Sequence, residues 1–167
     1  MHPVVLALFV DAAAAADAAR RLRALGVARE RVSIVARSHD EEGRVARVSG
    51  ASPGSEIEDS GPASRLGELS GHVLAAIALV MPGIGPIVAD GPLAAGLGEA
   101  AGHLAGGMAR TLETAGLPAA VASQWENRIG AGDFLVGAHV QDALVADART
   151  VMEEAGGRDV SVGTWPD

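Results

Sequence analysis

The chain lacks cysteine and tyrosine altogether and has few other aromatic residues. Without cysteine it can form no disulfide and offers no thiolate as a nucleophile or metal ligand, so any bound metal must rest on histidine and carboxylate side chains. Only 2% of the 167 residues are aromatic, although 49% are hydrophobic. The core must therefore be built mainly from small and aliphatic side chains, with close approach between backbones.

Positive charge and long apolar runs are also scarce. Thirteen Lys and Arg residues against 21 Asp and Glu residues give a formal net charge of −8. Phosphate contacts need clustered basic side chains, so this balance argues against a nucleic-acid partner. The most apolar stretch, residues 71–97, is broken by three prolines and Asp90, and neither half reaches the roughly 20 residues that a spanning helix needs. We expect one soluble, cytoplasmic domain.

The first 38 residues read as a βαβ unit. Val4–Val10 is short, continuous and apolar, and no Lys or Arg precedes it, so it predicts a buried strand rather than a signal peptide. Asp11 is a good N-cap for a helix over Ala12–Leu25, and Gly26 is the residue expected just after its end. Arg31–Ala36 predicts the second strand of the unit.

Residues 117–167 repeat this plan after a short helix that begins at Pro118 and ends at Ile129. The repeat consists of a strand at Asp133–Val140, a helix from Asp142 to Ala155 and a strand at Val160–Thr164. Two such units in one chain favour an α+β fold, namely a ferredoxin-like βαβ…βαβ sheet with its helices on one face.

The segment between the two units is unusual in composition. Residues 39–63 are polar and predict a loop. Residues 64–116 predict an inserted Gly/Ala-rich antiparallel helical hairpin, with helices at Ser64–Val80 and Pro92–Ala115 and a turn at Met81–Gly91. Small residues recur there at four-residue spacing, at Gly67, Gly71, Gly98, Gly102 and Gly106. This glycine-zipper pattern indicates close helix packing, because each glycine costs about 1 kcal/mol in a helix that tight packing must offset.

Three parts of the chain resemble a known family. They are the opening strand–helix–strand, the segment Pro82-Gly-Ile-Gly-Pro-Ile-Val-Ala-Asp-Gly-Pro-Leu-Ala-Ala, and the return through Gly116-Leu-Pro to Asp133-Phe-Leu-Val. Over most of its length the chain is therefore similar to general stress protein 17M-like domains, or heat-induced stress protein YflT-like domains. The resemblance implies a stress-associated protein without established chemistry, and it carries over no catalytic residue. The chain departs from the family where Glu and His replace the Gly or Ala expected along the zipper.

A motif of six residues occurs once in each helix of the predicted hairpin. Gly67-Glu68-Leu69-Ser70-Gly71-His72 and Gly98-Glu99-Ala100-Ala101-Gly102-His103 both read G-E-x-x-G-H. Residues four apart share one face of a helix, so each Glu and His can point the same way. An antiparallel hairpin folded about Gly85 would bring Glu68 near His103 and His72 near Glu99. Imidazole and carboxylate together bind iron, manganese or zinc, so we predict a metal site on Glu68, His72, Glu99 and His103.

Three functional hypotheses follow from these patterns. The first is a metal-binding, stress-associated protein that forms a homodimer or higher homo-oligomer through the hairpin, with iron as the preferred divalent metal, then manganese or zinc. Such an assembly would allow a dinuclear ferroxidase-like or iron-handling site, although ferritin-like bundles use Glu-x-x-His spacing. Haem held by His72 and His103 is a weaker variant, because aromatic walls are missing. In the second, the Glu/His pairs are solvated and contribute only about 0.3–0.5 kcal/mol each, and the zipper mediates self-association of a non-enzymatic protein. The third places the hairpin tip, Met81–Val88, on a membrane surface.

Other polar or aromatic residues have simpler interpretations. Asp90 is expected to cap the helix that begins near Pro92, and an added role as a metal ligand is a lesser alternative. Trp125 is expected in the core. His139 alternates with an apolar stripe on its strand, so we expect it on the surface, and we expect His2 to be mobile.

Overall fold

The computed structural model describes residues 1–37, 77–102 and 107–167. Their strands are β1 (His2–Phe9), β2 (Val32–Arg37), β3 (Ile77–Met81), β4 (Gly85–Asp90), β5 (Phe134–His139) and β6 (Arg158–Trp165). Their α-helices are α1 (Ala12–Ala24), α2 (Pro92–Gly102), α3 (Met108–Thr114), α4 (Ala119–Gly130) and α5 (Val145–Glu154), with 3-10 turns at Arg29–Arg31 and Asp142–Leu144. Both βαβ units thus form where the sequence predicts them.

The strands join in one sheet with the order β3-β4-β2-β5-β1-β6. Each neighbouring pair is antiparallel. The four strands of the two βαβ units lie side by side in the order β2-β5-β1-β6, and β3 and β4 extend the sheet beyond β2. The predicted α+β class is confirmed, but the sheet is larger than the two repeated units alone would make it.

Helices cover both faces of the sheet: the two helices of the βαβ units share one face, and the other three α-helices cover the second. The first face packs Val5, Ala7 and Phe9 of β1 against α1 and α5. The second face packs Val4, Leu6 and Leu8 of the same strand against α2, α3 and α4. Each residue from Val4 to Phe9 is fully buried, which explains why this run is continuously apolar rather than alternating.

The described part of the predicted helical hairpin contains a β-hairpin. Ile77–Val80, expected at the end of a helix, lies in β3, and most of the expected turn lies in β4. Only Pro82–Ile84 connects the strands: Met81 pairs with Gly85, and Gly83 and Gly85 take positive φ values of 82° and 92°. A short run rich in β-branched residues suits a strand as well as a helix, and the free edge of β2 supplies its partner. Residues 64–76 lie outside the described residues.

The second predicted helix is not continuous. It begins at Pro92 as expected, but α3 starts anew at Met108, and Gly107 before it has extended backbone (φ −87°, ψ −173°). Glu126 of α4 accepts a hydrogen bond from the Ala109 amide at 2.6 Å, which satisfies a free donor at the start of α3. Within the described residues, no helix has both the length and the apolar character needed to cross a membrane.

Local capping signals were reliable at one helix and misleading at another. Asp11 caps α1, accepting a 2.7 Å hydrogen bond from the Ala14 amide, and Gly26 follows that helix with φ 99°. Asp142, the expected cap of the last helix, lies instead in a 3-10 turn, and α5 starts three residues later without a side-chain cap. The expectation of a cap at Asp142 was therefore wrong.

Candidate functional site

Most of the predicted metal site falls outside the part of the chain that the structure describes. Glu68, His72 and His103 lie outside the described residues. Glu99 lies on α2 with its side chain exposed to solvent. Within residues 1–37, 77–102 and 107–167, no three His, Asp or Glu side chains are arranged to hold a metal ion. The register argument that paired Glu68 with His103 also loses its basis, because the chain turns about Gly83 as two strands rather than two helices.

A cavity of about 680 Å³ lies between α2, α3 and the end of β6. We call it the Trp165 cavity, after the indole in its wall. Its lining combines small apolar groups with hydroxyls and charges, from Pro92, Ala95, Gly96, Glu99, Ala100, Arg110, Thr111, Thr114, Trp165, Pro166 and Asp167. The volume falls within the range of about 300–1,000 Å³ that is typical of small-molecule sites.

Close backbone contact fixes the position of Trp165. The Thr164 amide donates a 3.1 Å hydrogen bond to the carbonyl of Ala115, at the end of α3. A Cβ atom on Gly163 would overlap that carbonyl oxygen, so only glycine allows β6 to approach α3 this closely. A Cβ on Gly96 would lie 3.0 Å from the Trp165 ring and 3.2 Å from the Thr111 methyl group. The two glycines therefore seat the indole against α2 and α3.

Two charged side chains at this cavity make no ion pair with described residues. Glu99 of α2 and Arg110 of α3 are both exposed, and each lines the cavity. The cavity's hydroxyl protons are already used, since Thr114 donates to the carbonyl of Arg110 (3.0 Å) and Thr111 donates to that of Gly96 (3.4 Å). The charged groups left for a ligand are therefore one carboxylate and one guanidinium, in a cavity that the Trp165 side chain also lines.

A chain of hydrogen bonds runs behind Trp165. The Nδ1 atom of His2 donates to Asp167 Oδ1 at 2.9 Å, and its Nε2 lies 3.0 Å from Nδ1 of His139. The Met1 amino group also contacts the Asp167 carboxylate. His139 meets the Trp165 ring edge to face, with ring centroids 5.5 Å apart. We call His139, His2 and Asp167 the histidine chain. It corrects two expectations, because His139 is 1% exposed rather than at the surface, and His2 is bonded rather than free.

Burial explains the electrostatics of this chain. Burial, with smaller contributions from the nearby charges of His2 and Arg31, lowers the pKa of His139 from 6.5 to about 4. His139 is therefore neutral near pH 7. The hydrogen bond from His2 holds the pKa of the Asp167 carboxyl below its usual value, with a second contribution from the terminal amine. His139 Nε2 is buried without a hydrogen-bond partner among the described residues.

Asp90 was predicted to cap α2, but it does not. It is fully buried, and its Oδ1 accepts from the adjacent Gly91 amide at 2.7 Å, while its Oδ2 has no hydrogen-bond partner in the described part of the chain. Ser33 of β2 takes the capping role instead, accepting a 3.1 Å hydrogen bond from the Leu93 amide in the first turn of α2. Trp125 is buried in the core, as expected.

The sequence interpretation missed the residues that matter most here. Trp165 and Arg110 carried no motif, and their proximity depends on β6 pairing at the sheet edge beside β1. His139 was assigned to the surface because it alternates with apolar residues along its strand. That inference is valid only when one face of the sheet is exposed to solvent, and here both faces are covered. One signal was available, since the chain has only two tryptophans and one of them directly follows the last predicted strand.

Comparisons with known proteins add no relative to this description. No family model matches the chain, and neither the curated proteins nor the solved structures contain a match.

Proposed function

We propose that this chain is a small-molecule-binding protein and that its site is the Trp165 cavity. The observation that carries this proposal is a cavity of about 680 Å³ lined by the Trp165 indole that also presents Glu99 and Arg110 without ion-pair partners in the described residues. Such a mixture of apolar wall and few polar groups is typical of ligand sites. Nothing in the described cavity resembles a nucleophile activated by a base, so binding is favoured over catalysis.

The charges favour an amphoteric ligand. A molecule carrying only an anionic group would gain from Arg110 but meet Glu99 on the same cavity, and a cation would face the reverse. A ligand with an ammonium and a carboxylate uses both side chains, and an apolar or aromatic part would lie on Trp165. We therefore assign the site to small zwitterions of the amino-acid or short-peptide type.

A series of probes with one ring and different charges tests this assignment. L-Phenylalanine carries both charges, 3-phenylpropionate only the anion, and 2-phenylethylamine only the cation. Binding is measured by isothermal titration calorimetry and by the fluorescence change of Trp165, with Trp165→Phe as the blank. We expect L-phenylalanine to bind most tightly, by about tenfold over either single-charge probe, since each lost charge-assisted hydrogen bond costs about 1.5–3 kcal/mol before solvent screening reduces it.

Matched variants separate this site from general surface binding. Glu99→Gln and Arg110→Gln should each weaken L-phenylalanine binding, and each should abolish the preference over one of the single-charge probes. Glu113→Gln, an exposed change on α3 outside the cavity lining, is the control and should bind as the parent does. Equal binding of all three probes, or unchanged binding in both cavity variants, would refute the proposal.

Metal binding is a second candidate, supported by the exposed Glu99 carboxylate without a partner among described residues. In this proposal Glu68, His72, Glu99 and His103 bind iron, or manganese or zinc. Elemental analysis of protein purified without chelators, compared with Glu99→Gln and His103→Ala, tests it. A stoichiometric metal that survives gel filtration and is lost in both variants would support it. Equal metal content in all three proteins, including none, would reject it.

The family resemblance and the finer fold description also stay proposals. The order β2-β5-β1-β6, with antiparallel neighbours, supports a ferredoxin-like unit to which β3 and β4 add an edge hairpin. A stress-associated, cytoplasmic, self-associating protein is the biological setting proposed with it. Light scattering at several concentrations measures the self-association, and abundance after heat shock measures the stress response.

A further inference from the structure

The histidine chain and the Trp165 cavity share residues. Asp167 ends the histidine chain and also lines the cavity, while Trp165 lines the cavity and packs against the ring of His139. In the sheet, His2 of β1 lies directly opposite Trp165 of β6. A change in the contact between His2 and His139 would therefore move residues that line the cavity.

Only one proton fits between the facing ring nitrogens. His2 Nε2 and His139 Nδ1 are 3.0 Å apart, so one must donate and the other accept. His2 Nδ1 already carries the hydrogen that it donates to Asp167. His2 Nε2 is therefore the acceptor and His139 Nδ1 the donor, so a second proton on His139 must go to its Nε2, which has no hydrogen-bond partner among the described residues. The new charge on His139 would also be buried, where desolvation penalises it strongly.

We propose that the histidine chain is an acid-sensitive control of the cavity: protonation of His139 places a charged N–H at its buried Nε2, which has no acceptor among the described residues, and relief of that charge displaces Trp165 and Asp167, which removes one wall of the site. This inference rests on the proposed ligand site. Because the pKa of His139 is lowered to about 4, chiefly by burial, the cavity is intact near neutral pH and opens as the pH falls toward that value.

The charged neighbours act on this equilibrium in known directions. Arg31, from the 3-10 turn before β2, and a protonated His2 both disfavour charge on His139. Asp167 affects His139 only through His2, because it accepts the hydrogen bond from His2 Nδ1. The Met1 amine contacts the other oxygen of the same carboxylate. Glu99 and Arg110 lie on α2 and α3, in the cavity wall that does not move in this proposal.

The test compares the parent protein with His139→Asn between about pH 7 and about pH 4. An asparagine amide can still donate to His2 Nε2, but it does not titrate. The fluorescence of Trp165, obtained as the difference between the parent and Trp165→Phe, measures displacement of this side chain from the cavity wall. Calorimetry measures L-phenylalanine binding. In the parent we expect a change in Trp165 fluorescence and about a tenfold loss of affinity on acidification, with far-UV circular dichroism unchanged. In His139→Asn the Trp165 fluorescence should stay flat, and the loss of affinity should be smaller than in the parent.

Ring NMR of the parent protein keeps the test decisive if the variant does not fold. The ¹⁵N shifts of His139 should titrate together with the Trp165 change. A Trp165 signal that ignores pH, or that moves only with loss of circular dichroism, overturns the inference, as does an equal acid transition in His139→Asn. Affinity that is constant with pH also overturns it but leaves the proposed function standing. Coupled His139 and Trp165 transitions without any L-phenylalanine binding would leave the control device and reject the ligand site.

Discussion

Replacement of Gly163 by alanine should strongly destabilise the protein. The added Cβ would overlap the Ala115 carbonyl oxygen and lie 2.9 Å from its carbon, and both are backbone atoms that cannot rotate away. Relief requires β6 to move off α3, which breaks the bond between the Thr164 amide and Ala115. The lost hydrogen bond costs about 0.5–1.5 kcal/mol and the overpacking about 1–3 kcal/mol, so we expect a loss of about 2–4 kcal/mol.

Urea unfolding followed by circular dichroism measures this loss, and fluorescence of the folded protein reports Trp165. The matched control is Gly98→Ala, since a Cβ there meets no described atom within 4 Å. In the interior of α2 that change should stabilise the protein by up to about 1 kcal/mol, because alanine favours helix over glycine. A Gly163→Ala protein within about 0.5 kcal/mol of the parent, with the parent's fluorescence, would refute the reasoning.

Three further predictions concern the same region. Ser33→Ala removes the buried acceptor of the Leu93 amide and should lower the free energy of unfolding by about 1 kcal/mol in urea titrations, while an unchanged value would contradict the capping role. Gly96→Ala should displace the Trp165 ring, seen as a shifted emission maximum and weaker L-phenylalanine binding, with under about 1.5 kcal/mol lost in stability. Because His139 has its pKa lowered from 6.5 to about 4, its contribution to stability is complete above about pH 6.5 and is lost as the pH falls toward 4, by about 3 kcal/mol. His139→Asn should flatten that part of the stability profile, and a parallel profile in both proteins would refute it.

Local signals predicted the two βαβ units because those units are specified locally. The Asp11 cap, the glycine after α1 and short apolar runs between polar turns each fix an element without help from distant residues. The segment Ile77–Asp90 lacked such a signal. Its apolar run has no decisive period, and the edge of β2, more than 40 positions earlier in the chain, selects the strand conformation.

The site was harder to predict than the fold, because it depends on contacts between residues that are far apart in the chain. The repeated Glu/His motif is conspicuous in sequence, yet only Glu99 of its four proposed ligands lies in the described residues. Trp165 and Arg110 gain meaning only after β6 pairs with β1 and α3 packs beside it. His139 shows a different error: a polar residue in an alternating strand was expected to be solvated, but it is 1% exposed and packs against the rings of His2 and Trp165.

The contacts of the glycines near the cavity explain part of the high glycine content, which the zipper interpretation attributed to helix packing. Gly98, one of the predicted zipper positions, has open space where a side chain would be, whereas Gly96 contacts Trp165. Gly116 takes φ 95° and would place a Cβ 3.1 Å from the Gly163 Cα atom, so these two glycines form a close backbone contact of their own. Among the tight glycines of the described residues, Gly96, Gly116 and Gly163 thus lie on or against the strand that carries Trp165. Small residues there serve to place one aromatic ring against two helices, which is a requirement of a shaped cavity and not of a helix–helix zipper.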